Sequence, residues 1–213
     1  MASPTSTVFL NLPLRRPITE IALFGATFIL IAVYLGLVLL NAFAVEVPWL
    51  VFQMFDVDDE HNLPTFYSGF ILLFATVLLW SIWMEVCRLR WSWLILFLGF
   101  AFLAADEIAG FHDAINTAID TVWAWFGLIM VAIAGLSLLP FMLSLPRSIA
   151  AGFAFAGAMY VGGAMVVELI NEPFDSDGLA YQLLVLVEEG FEMLGVVTFI
   201  AVLLHYRANH LNR

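Results

Sequence analysis

An all-α bundle of six transmembrane helices is the architecture these 213 residues predict, and three features predict it. Hydrophobic residues make up 63% of the chain and charged residues 12%. Soluble domains run near one half and about one quarter. Six segments each supply about 20 mostly apolar residues, enough to cross ~30 Å of hydrocarbon. The basic residues, all arginine, flank those segments so that every one falls on the same side.

The first span covers 18–40 and follows Arg15 and Arg16. Ala42-Phe43-Ala44 behind it has the form of a signal-peptide cleavage site. Its apolar run is longer than the roughly 7–15 residues of a signal core, so the helix is expected to be retained. The second span, 66–84, carries no charge and is opened by Pro64. The third runs 91–116, past Asp106; the fourth, fifth and sixth run 122–143, 149–172 and 179–205. Together they form one domain over 1–213.

Six spans with both termini inside place Arg15, Arg16, Arg88, Arg90, Arg147, Arg207 and Arg213 on the cytoplasmic side, as the positive-inside rule asks. The expected location is a bacterial cytoplasmic membrane with lipids as partners. Trp49, Trp123 and Trp125 fall at outer span ends, and Trp80, Trp83, Trp91 and Trp93 at inner ends, as an aromatic belt would.

A formal charge of −11 excludes a nucleic-acid binder, which needs a basic surface. Cys87 stands alone, which excludes a disulfide framework and a cysteine zinc site. Of eighteen acidic residues only Glu20 and Glu85 lie near the inner side, so the outer face is strongly acidic. Such a face attracts cations.

Depth follows from the 1.5 Å rise per helical residue. Asp106 lies about 22 Å above Trp91, and His112 about 31 Å. Glu192 and Glu188 lie about 20 and 26 Å above His205, and Glu168 about 28 Å above Ile149. Three helices thus put carboxylates into one slab in the outer half. An acid in hydrocarbon is costly and should face the bundle interior with a partner. At 100° per residue, Asp106, Ala109, Gly110, His112, Asp113 and Asn116 share one face of span three, with Glu107 at its border. Ala104, Ile108, Phe111 and Ile115 form the opposite, lipid-like face. Glu188 and Glu192 are a turn apart, with Gly195 continuing their stripe and Glu189 flanking it. Glu168 lies below Asn171 and Glu172, and beneath it Ala164, Val161, Gly157 and Ala154 make a seam of small residues for a close neighbour.

Crowded carboxylates must share protons, bind a cation or meet water. With imidazole available, a divalent zinc, iron or manganese ion fits best. Asp106, His112, Glu168, Glu188 and Glu192 are the expected ligands. Glu189 would be general base on metal-bound water, and Ser68 or Tyr67 would orient a lipid or other hydrophobic substrate. The loop Asp56-Val57-Asp58-Asp59-Glu60-His61-Asn62 resembles an EF-hand only superficially: His61 stands where the loop needs glycine, and Tyr67 where it needs glutamate. No H-E-x-x-H, G-x-S-x-G or P-loop signature occurs. A metal-dependent hydrolase or oxidoreductase is therefore the leading expectation. A proton or cation conduit and a non-catalytic subunit of a membrane complex are the alternatives.

Overall fold

The computed structural model describes residues 16–111, 123–176 and 178–211. Arg15, His112, Asp113, Asn116 and Arg213 lie outside them. Seven helices are described: α1 Arg16–Phe43, α2 Trp49–Phe55, α3 Leu63–Glu85, α4 Arg90–Ala109, α5 Trp123–Ser144, α6 Arg147–Asn171 and α7 Leu179–Tyr206. No strand occurs among the described residues. The protein is an all-α membrane bundle. A spanning segment must satisfy its backbone internally, and a helix does so within one segment.

Among the described residues, five helices are long and apolar enough to cross a membrane: α1, α3, α4, residues 125–144 of α5, and α6. The sixth expected span forms α7, whose first half carries Glu188, Glu189 and Glu192; it is not among those five. It is instead a central helix, packed against α1, α3 and α6. Val185, Met193, Val196, Val197, Ile200 and Leu203 of α7 are each at most 2% exposed. The other central element is α3, whose closest partner is α4. By contrast α5 is peripheral: among its described side chains only Phe141 is buried.

Four helix ends meet on Trp93 at the start of α4. Its ring lies 5.0 Å from Phe141 of α5, 6.3 Å from Phe153 of α6 and 5.0 Å from Tyr206 of α7. This corrects the expected interfacial role of Trp93, which is 1% exposed. Trp91, by contrast, is 78% exposed. Arg90 and Arg207 lie at the same end. Arg207 Nη2 donates to Glu85 Oε1 at 3.1 Å, joining the ends of α7 and α3, and Arg90 lies 4.5 Å above the Trp83 ring.

Two departures from regular helix matter for the opposite end. First, α4 stops at Ala109, because Gly110 takes a left-handed conformation (φ 60°) and its N–H bonds back to Asp106 O. The regular helix of the expected 91–116 span therefore ends at Ala109, and residues 112–116 lie outside the described residues. Ala104, expected to face lipid, is 1% exposed; Ile108 is 55% exposed, though it packs beside Gly69 of α3. Second, α6 contains a π-helical segment, Gly162–Val167. One extra residue per turn makes everything beyond it lag by about 100° around the axis.

The seam on α6 moves accordingly. Ala154 and Gly157 are exposed, and nothing lies near Gly157. The close approach to α7 runs through Gly152 and Gly163 of α6 and through Gly195 of α7 instead. A Cβ on Gly195 would stand 2.8 Å from Tyr160 N and 2.9 Å from Ala156 O. Helices in lipid associate through such packing, since tails are as apolar as leucine.

Candidate functional site

The end away from the arginines begins with a clasped loop. Asn62 is the N-cap of α3: its Oδ1 accepts from Thr65 N at 3.2 Å. The Asn62 Nδ2 donates to the carbonyls of Gln53 (3.1 Å) and Asp56. The Thr65 hydroxyl donates to Asp59 O at 3.0 Å. These bonds fold Asp58, Asp59 and Glu60 against the bundle. Tyr181 at the head of α7 donates its hydroxyl to Asp58 Oδ2 at 3.0 Å. Glu60 reaches Gly110, where a side chain would collide with its carboxylate. In the same loop, burial pushes the Asp56 carboxyl above the usual carboxylate range. The Asp58 N–H and the Tyr34 hydroxyl, bonded to it, pull it back, and Asp59 adds a raising charge.

Behind the loop lies a cavity of about 360 Å³, walled by residues of α4, α6 and α7. Ten of the residues lining it are carboxylates: Asp58, Asp59, Glu60, Asp106, Glu107, Glu168, Glu172, Glu188, Glu189 and Glu192. No arginine or histidine is among its described lining residues. Tyr160, Tyr181, Asn171 and Thr65 add polar groups, and Val57, Leu103, Ala164 and Met165 add apolar patches. Beneath the glutamates α7 turns apolar, and Met193, Val196 and Ile200 are buried there. The buried hydroxyls of Thr76 and Ser81 on α3 are spent on carbonyls of their own helix, each at 2.8 Å. Among the described residues the cavity is thus blind toward the arginine end.

Five expected site residues, Asp106, Glu168, Glu188, Glu189 and Glu192, line this one cavity. His112 lies outside the described residues. Ser68 and Tyr67 do not line it. The Tyr67 hydroxyl is turned to α1, where it donates to Leu23 O at 2.6 Å and lies 2.8 Å from the buried Thr27 hydroxyl. Ser68 is buried in α3. Neither is placed to orient a substrate in the cavity, because the Tyr67 hydroxyl is engaged with Leu23 and Thr27 of α1 and Ser68 is buried. Glu107, set at a border by helical phase, is part of the wall.

Tyr160 and Tyr181 are polar lining residues that no motif or spacing singles out, and Asn171 shares the Glu168 face of its helix. Asn171 is 4% exposed, and its Oδ1 has no hydrogen-bond partner. The buried Oε1 of Glu60 has none either. Among the described residues no group of three Asp, Glu, His or Cys side chains is placed to hold a metal ion. The donor set is all oxygen, rich in charge and spread around a chamber rather than converging on a point.

The chain belongs to the family described as a domain of unknown function (DUF8692), which matches residues 21–206. No curated protein and no solved structure matches it.

Proposed function

We propose that this member of the DUF8692 family is a multi-pass protein of a bacterial cytoplasmic membrane that captures a cationic ligand from the extracytoplasmic side. The orientation follows from the positive-inside rule, applied to the end where Arg90 and Arg207 gather, with both chain ends cytoplasmic. The observation that carries the proposal is the cavity of about 360 Å³ with ten carboxylates in its wall. An acceptor-rich, low-dielectric chamber focuses field and concentrates cations.

The blind floor supports a binding chamber over a continuous conduit. Donor geometry supports cation capture ahead of metal-bound-water chemistry, because no three ligands converge among the described residues. A metal-dependent reaction on a hydrophobic substrate would need His112 or a rearrangement of Asp106, Glu188 and Glu192 to close a coordination sphere.

A ligand that binds only the folded state stabilises it by about 2.7 kcal/mol at a hundred times its Kd. The test is thermal unfolding of the full chain in detergent, titrated with Mg²⁺, Ca²⁺, Mn²⁺, Zn²⁺ and aliphatic amines at fixed ionic strength. At least one should raise the midpoint of the wild type, and Glu188→Gln with Glu192→Gln should abolish the rise. Glu20→Gln, distant from the cavity, should not. A wild type indifferent to every cation would overturn the proposal.

A further inference from the structure

We infer that the ligand of this cavity is a linear organic cation with two or more ammonium groups, one of which donates an N–H to Asn171. The inference rests on the reading of the cavity as a cation chamber and names the class of cation.

Size is the first argument. A volume of about 360 Å³ equals the liquid share of roughly a dozen waters. It falls within the roughly 300–1,000 Å³ of small-molecule sites. One metal ion with its ligands would fill a small part of it.

Charge placement is the second. Ca²⁺ needs six to eight oxygens at about 2.3–2.6 Å, and Mg²⁺ an octahedron at about 2.0–2.1 Å. No three of the described acidic side chains are placed for that. The carboxylates instead run from Asp58 and Glu60 at the mouth to Glu189 and Glu192 beside the floor. Acidic side chains spread over three helices and a loop match more than one ammonium group. Leu103, Ala164 and Met165 offer apolar wall between them for methylenes, and the Tyr181 ring stands near the mouth. An aromatic face attracts an ammonium ion.

Asn171 is the third argument and the most specific. Asn171 lines the cavity, and its side-chain oxygen is buried and has no partner. An acceptor buried without a donor is costly. The π segment Gly162–Val167 lies just before it in α6, and such bulges recur at functional sites. A neutral amide oxygen suits an N–H donor, and Glu168, one turn earlier on α6, supplies the opposite charge in the same wall.

The experiment measures binding to the full chain in detergent by calorimetry, with butylamine, 1,4-diaminobutane, spermidine, Mg²⁺ and Ca²⁺ as probes at one ionic strength. Spermidine and the diamine should bind at least about tenfold more tightly than butylamine. A hydrogen bond to a charged group predicts that Asn171→Leu weakens the diamine about tenfold or more, and Glu168→Gln should weaken it too. Divalent ions binding more tightly than the amines would overturn the inference and leave the cation chamber standing. No binding by any probe would sink both. If Asn171→Leu folds and binds the diamine unchanged, a water satisfies Asn171 and its assigned role is wrong. If that variant does not fold, Glu168→Gln decides: full affinity there overturns the inference.

Discussion

Gly195→Ala tests the helix contact that shapes the cavity. The new Cβ would stand 2.8 Å from Tyr160 N and 2.9 Å from Ala156 O, where ordinary contact begins near 3.4 Å. Both obstacles are backbone, so no rotamer change relieves them, and α6 and α7 must part by about half an ångström. Overpacking of this kind costs about 1–3 kcal/mol. Against it stands the gain from replacing a helical glycine, up to about 1 kcal/mol. Gly157→Ala isolates that gain, because it lies on α6, is exposed and meets nothing within 4 Å. The two variants share the propensity term, so the gap between them reads the clash alone. It should be about 1–3 kcal/mol, or roughly 2–12 °C in thermal midpoint for a chain of this size. The assay is side-by-side melting in one detergent, followed by circular dichroism. Equal midpoints for Gly195→Ala and Gly157→Ala would refute the close approach of α6 and α7, and with it the position of the wall that bears Glu188 and Glu192.

Tyr67→Phe removes a hydroxyl that bonds Leu23 O at 2.6 Å. It should cost about 0.5–1.5 kcal/mol in melting experiments while leaving every cation response intact. Loss of the cation response would return Tyr67 to the site. Asp56→Asn tests the loop. A carboxyl whose folded pKa is raised contributes stability below its unfolded pKa and loses it as pH rises through the folded value. Melting from pH 4 to 8 should therefore show the wild type losing ground to Asp56→Asn as pH rises. A difference that is flat, or that runs the other way, would show that the carboxyl is not held above its usual range.

The helices were legible because lipid leaves the backbone few choices, so runs of about 20 apolar residues declare themselves. Depth was legible because it is arithmetic along an axis. Counting 1.5 Å per residue set Asp106, Glu168, Glu188 and Glu192 in one slab, and they line one cavity. Azimuth was not. A constant 100° per residue cannot anticipate the π turn at Gly162–Val167, so Ala154 and Gly157 were placed in a seam and are exposed. The apolar run continuing through Phe111 and Ile115 masked the stop that Gly110 provides, although glycine is a familiar helix terminator. Trp93 was read by its position near a span end, and a belt rule says nothing about which face of the helix meets a neighbour. That the Asn171 side-chain oxygen is buried without a partner depends on what surrounds it, which no spacing rule contains.

The clasp at Asn62 bears on how quickly and how tightly the mouth can act. Holding a backbone residue in one conformation costs about 1–2 kcal/mol of entropy, and immobilising a long side chain at an interface about 0.5–1.5 kcal/mol. Asn62 bonds to Gln53, Asp56 and Thr65, so the segment from Asp56 to Asn62 is ordered when the chain folds. Tyr181 holds Asp58 in the same way. Under the proposed capture, an arriving cation would therefore meet carboxylates already in place. It need not arrest a waving loop, and its affinity is not reduced by an ordering step. Preorganisation of this kind also favours fast encounter, since no rearrangement of the rim has to precede entry.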